Sequence, residues 1–131
     1  MDSIAPHQQL QPKRILVVED DLVGAHTIRT VLAMDGHTVE VSRDAEGALA
    51  MFEAYPYDLV ITDFLLGQVD GLQLAAAIKK HTPTTPIILI TAYAEKLHGT
   101  MGKVSNVDQV VSKPFSTAQL KEALRKAFPA G

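Results

Sequence analysis

Ile15-Leu16-Val17-Val18-Glu19-Asp20-Asp21 is the stretch on which the fold turns: four aliphatic residues, three of them β-branched, run directly into three carboxylates. Four apolar residues alone do not separate a buried strand from a piece of helix. The rest of the chain does, because the same construction returns at Val39 with Val41, at Leu59 to Ile61, at Ile87 to Ile90, and at Val107 with Val110-Val111. Between the runs the period changes. Leu22, Ala25, Ile28 and Leu32 recur at helical spacing, as do Ala45, Ala48, Leu49 and Phe52, and later Leu120, Ala123, Leu124 and Ala127. These stripes are expected to be core. Asp21 and Asp44 suit helix caps, Asp35-Gly36 closes the first helix, and Asp70-Gly71 and Ser116-Thr117 stand before the third and fifth. Alternating elements of this kind predict an α/β fold, a doubly wound sheet of five parallel strands joined by five helices.

That arrangement has a chemical consequence. Glu19-Asp20-Asp21, Asp63, Thr91 and Lys113-Pro114 each follow an apolar run, so neighbouring parallel strands deliver all four sets to one rim. Open α/β sheets bind ligands at that rim, where strand order reverses. Taken singly, an Asp after a strand is most often a turn or cap residue, a Thr a strand end and a Lys a solvated amine. Their coincidence on one rim argues for a site.

At 131 residues the chain is long enough for one core and too short for two. It contains no cysteine, which excludes disulfides and zinc–thiolate centres, and no signal peptide or apolar run approaching about eighteen residues. A cytoplasmic setting without a membrane segment is expected. The net charge is −3 and the basic residues are scattered, which argues against direct nucleic-acid binding. His7, His26, His37, His81 and His98 lack paired ligand spacing and read as surface or satisfied side chains. Residues 1–12 read as a disordered leader, residues 13–128 as the folded domain and residues 129–131 as a tail. No length remains for an effector domain, so the sequence reads as a stand-alone module or a domain cut from a longer chain.

The segment from Ile15 to Asp21, then Asp63 with Asp70-Gly71 seven and eight residues on, Thr91-Ala92, and Lys113-Pro114-Phe115 twenty-two residues after the Thr, resembles the receiver domain of bacterial response regulators. The likeness covers roughly residues 13 to 128. It implies a flavodoxin-like sheet of strand order 2-1-3-4-5 and a phospho-accepting role in a two-component phosphorelay. The implied acceptor is Asp63, and the implied donor is a phosphohistidine on a sensor histidine kinase or histidine phosphotransfer protein docking near the first helix. Such a domain is not an enzyme with a separate substrate; it catalyses only its own phosphorylation and dephosphorylation.

The residues suit that chemistry. A carboxylate can carry a phosphoryl group as an acyl phosphate. Gathering Asp63, Glu19 and Asp20 concentrates negative charge that repels itself and an incoming phosphoryl group, so a divalent cation is required, and magnesium takes hard oxygen ligands of this kind. The resemblance adds the main-chain carbonyl of Leu65 as a ligand and a cis Lys113-Pro114 bond. Charge on the three equatorial oxygens of the loose transition state needs partners. Magnesium serves one, the Lys113 ammonium a second, and the Thr91 hydroxyl with backbone amides the third.

Phosphorylation of Asp63 is expected to draw Thr91 inward and bias the surface of the fourth helix, fifth strand and fifth helix toward a downstream effector. Two residues depart from the family pattern. Val110 stands where an aromatic switch residue is common, and Gly67 stands where proline is common. Tyr93, two residues after Thr91, offers a substitute ring that shields the acyl phosphate or moves in place of the missing one. The fourth helix, from Tyr93 to about Lys103, carries Gly99 and Gly102 and is expected to be short and weak. A flavin carrier needs a Gly, Ser and Thr loop where this chain is acidic, and a haloacid-dehalogenase-type phosphatase, by resemblance, carries its nucleophile at the end of the first strand in an Asp-x-Asp arrangement followed by Thr or Val, which Asp20-Asp21-Leu22-Val23 does not fit. A degenerate receiver acting as a phosphorylation-independent interaction module remains the alternative.

Overall fold

The apolar runs become strands, the fifth from Val110 onward, because their side chains have a face of the sheet to pack against. The structure, a computed structural model, describes residues 10–94 and 106–128. In chain order the elements are β1 (Arg14–Val18), α1 (Leu22–Met34), β2 (Thr38–Ser42), α2 (Ala45–Ala54), β3 (Leu59–Asp63), β4 (Leu65–Leu66), β5 (Val69–Asp70), α3 (Gly71–His81), β6 (Ile87–Thr91), β7 (Gln109–Ser112) and α4 (Thr117–Ala127). The five long strands form one parallel sheet in the order β2-β1-β3-β6-β7. That is the expected order, and it puts β1 and β3 side by side with their carboxyl ends level: Val18 is opposite Thr62.

Side chains alternate between the two faces of the sheet. Ile15, Val17, Ile61, Ile88 and Ile90 pack with Ile28 and Leu32 of α1 and with Leu120 and Leu124 of α4. Leu16, Val18, Val60 and Ile87 pack with Ala48 and Phe52 of α2 and with Leu74 and Ile78 of α3. Each fully buried Leu, Ile or Phe contributes about 1.5–3 kcal/mol from its removal from water. A sheet covered on both faces has apolar strands without an inside-outside alternation, which is why the runs read as continuous.

The caps fall where the sequence puts them. Asp21 and Asp44 accept the backbone N–H groups of Gly24 and Gly47. Asp70 with Gln73 and Ser116 with Gln119 form reciprocal capping boxes. Asp35 ends α1, and Gly36 takes a φ of +90°.

Three expectations need adjusting. Leu22 is 61% exposed rather than core, because the first residue of α1 stands above the rim and not over the sheet. Val107 precedes β7 and packs against the α3 side of the core. Gly67 in place of proline implies a less constrained loop after Asp63, yet Leu65–Leu66 and Val69–Asp70 pair there as a small antiparallel hairpin around Gly67-Gln68. Gly67 adopts a φ of +84°, open to glycine and closed to a proline ring fixed near −65°. Among the described residues there are four helices. The fourth helix expected from Tyr93 to about Lys103 lies largely outside those residues, as do residues 1–9 of the expected leader; Leu10 rests half-buried against the core.

Candidate functional site

Asp63 is the last residue of β3, and its side chain is only 11% exposed. Its Oδ1 lies 2.8 Å from the Lys113 Nζ, which also stands 3.6 Å from Glu19 Oε1. Glu19 follows β1 directly. Its amide donates to the Ser42 carbonyl at 3.0 Å, and its Oε2 accepts the Asp21 N–H at 3.1 Å. Glu19, Asp20 and Asp63 each present an oxygen, and these oxygens lie within 4.8 Å of one another.

Electrostatics follow from this crowding. Burial, and behind it the Asp63 charge, pushes the Glu19 carboxyl up to about 7 against the opposing pull of the Asp21 amide and Lys113. Burial acts to lower the Lys113 ammonium, but its hydrogen bond to Asp63 and the two nearby acids outweigh that and hold it above its ordinary value. Three acids thus face one amine. The donors are hard oxygens from carboxylates, the set that suits a small divalent cation, and the unbalanced charge is of the sign that a cation corrects.

Thr91 ends β6 and is buried. Its hydroxyl oxygen accepts the Tyr93 N–H at 2.9 Å, and its carbonyl accepts the Lys113 N–H at 2.9 Å, so β6 and the residue after β7 are tied together at the rim. The Lys113–Pro114 peptide is cis. Tyr93 is 45% exposed two residues beyond Thr91. Leu65 is exposed in β4, and Val110 is half-buried in β7 with Leu89 as its Cα partner. The fold therefore brings Glu19, Asp20, Asp63 and Lys113 into one cluster with Thr91 linked to it through the Lys113 backbone, while Val110 sits along β7 rather than within the acid cluster.

Comparison with known proteins decides the family. A sequence model described as the response regulator receiver domain matches residues 15–125. The chain belongs to that family. This receiver domain is 31% identical over 114 residues to the transcriptional regulatory protein TrcR of Mycobacterium tuberculosis, covering 87% of the chain and 44% of the relative. It is 35% identical over 111 residues to the response regulator ArlR of Staphylococcus epidermidis, covering 85% and 50%. The chain spans about half the length of the curated relatives it matches. The response regulator TrrA of Thermotoga maritima, solved in complex with Mg(2+)-BeF, superimposes with a TM-score of 0.80 at 33% identity over 88% of this chain and 98% of that one. Among the described residues no helix of the receiver domain is long and apolar enough to cross a membrane.

The sequence did not single out Thr62, and it marked Gly71 only as a helix start and as part of the motif after Asp63, not for a contact at this site. Thr62 Oγ1 donates to the Asp63 carbonyl, and a side chain at Gly71 would collide with that same oxygen. Asp70-Gly71 was legible as a helix start; the contact it makes with β3 was not.

Proposed function

We propose that Asp63 is the phosphoryl acceptor of this receiver domain. An Asp63 carboxylate oxygen attacks phosphorus in a phosphohistidine, the nitrogen–phosphorus bond breaks as the oxygen–phosphorus bond forms, and the departing imidazole keeps the electron pair. Lys113 stands ready to pair with an equatorial oxygen, and the Thr91 hydroxyl has a proton to donate to another once Thr91 moves inward. Glu19, Asp20, Asp63 and the Leu65 carbonyl are the proposed magnesium ligands. Bound magnesium supplies charge neutralisation at a phosphoryl oxygen. The observation that carries the reading is the Lys113 ammonium 2.8 Å from Asp63 within a set of three converging acids.

The donor is a sensor histidine kinase or a histidine phosphotransfer protein in the cytoplasm, and the output is a change of surface read by a downstream effector. Val110 offers no long ring to rotate, so Tyr93 is assigned the role of shielding the acyl phosphate or moving with Thr91. Beryllofluoride added with magnesium should shift the amide resonances of Thr91 and Lys113 in the wild type and leave Asp63→Asn unchanged. The same shifts in Asp63→Asn would remove Asp63 from the role.

A further inference from the structure

The main-chain carbonyl oxygen of Asp63 is engaged by two neighbours that the chemistry above does not use. Thr62, 1% exposed at the end of β3, donates its hydroxyl to that oxygen at 2.9 Å. Gly71, the first residue of α3, comes so close that a Cβ there would stand 2.3 Å from the same oxygen and 2.8 Å from Leu89 Cδ1. The Gly71 N–H meanwhile donates to the Phe64 carbonyl at 2.6 Å, and the Phe64 N–H donates to Ile90 at 3.0 Å. Both peptide groups that follow the Asp63 side chain are thereby fixed.

We infer that Thr62 and Gly71 form a clamp on the Asp63 peptide and are positioning residues for phosphoryl transfer, an inference that rests on Asp63 being the acceptor. The direction of a side chain leaving a strand end follows from its backbone torsions, and the orientation of the carbonyl reports one of them directly. α3 cannot yield cheaply, since the Asp70–Gln73 capping box fixes its start and Leu74, Ala75 and Ile78 bury its inner face. A methyl group at position 71 therefore displaces the turn that carries Asp63. Phosphoryl transfer depends almost wholly on placement, so the loss appears in the chemical step and not in donor binding.

The test uses the full chain with acetyl phosphate at saturating magnesium, reading the maximal phosphorylation rate, the donor concentration at half-maximal rate, and the folded fraction from urea unfolding. Gly71→Ala and Thr62→Val are expected to lower the maximal rate by about tenfold or more, since small misplacements of reacting groups carry penalties of that order, with the half-maximal donor concentration unchanged and the protein folded. Thr62→Ser, which keeps the hydroxyl, should recover most of the rate. Rates in Gly71→Ala or Thr62→Val within about twofold of the wild type, or a Thr62→Ser as slow as Thr62→Val, overturn the clamp while leaving the acceptor assignment intact. If one variant unfolds, the other decides. A wild type that takes no phosphoryl group at Asp63 overturns the acceptor assignment and the clamp with it.

Discussion

Replacing Glu19 by glutamine should make the metal-free protein more stable at neutral pH, although it removes a charged partner of Lys113. The carboxyl of Glu19 rises from 4.5 to about 7 on folding because it is buried beside Asp63. A folded-state value above the unfolded one means that the stability Glu19 contributes is complete below about pH 4.5 and is lost as the pH climbs through about 7. At about 1.4 kcal/mol for each pH unit, the ionised side chain costs about 3 kcal/mol at pH 8. Glutamine keeps an oxygen for the Asp21 N–H and cannot ionise. Urea unfolding with a chelator at pH 8 should therefore show Glu19→Gln more stable by up to about 3 kcal/mol, and the two proteins should converge at low pH. Magnesium should shrink that difference, because it stabilises the folded state by an amount that grows with the logarithm of its concentration over its dissociation constant, and the variant binds it more weakly. A Glu19→Gln protein no more stable than the wild type at pH 8 without metal would refute the claim that uncompensated negative charge defines this site.

His37 accepts the Lys13 N–H at 3.0 Å through Nδ1, and burial lowers its pKa from 6.5; its stabilising effect should be complete above that value and fade as the pH falls through the lower folded-state value, seen as a shrinking difference between the wild type and His37→Gln. Leu120→Ala empties a fully buried position in α4 and should cost about 2–5 kcal/mol in urea unfolding, with the slope of the transition unchanged. Tyr93→Ala should shorten the lifetime of the phosphoryl group several-fold in a chase without donor; an unchanged lifetime and an unchanged activated conformation would leave Val110 without a substitute.

The sheet was legible because its signals are local or periodic. Ile15 to Val18 and Ile87 to Ile90 are strands of a doubly covered sheet and show it by unbroken apolarity, while Asp44, Asp70 and Ser116 mark helix starts through a hydrogen bond to a residue three further on. The cluster of Glu19, Asp20, Asp63 and Lys113 was legible for a related reason: topology alone brings strand ends to one rim. What stayed hidden depends on close contact across the fold. Nothing in the neighbours of Gly71 announces that its Cα faces the Asp63 carbonyl, and Leu22 keeps the helical period of α1 while standing clear of the core. The hairpin after Asp63 escaped because two-residue strands carry no measurable alternation; Gly67 was its one visible mark.

Peptide-level mass spectrometry after incubation with acetyl phosphate and magnesium tests the account most directly. One phosphoryl group should appear on the peptide containing Asp63, and it should be absent when magnesium is chelated or when the protein is Asp63→Asn. A phosphoryl group found on another residue, or retained in Asp63→Asn, would contradict the assignment of this carboxylate as the acceptor.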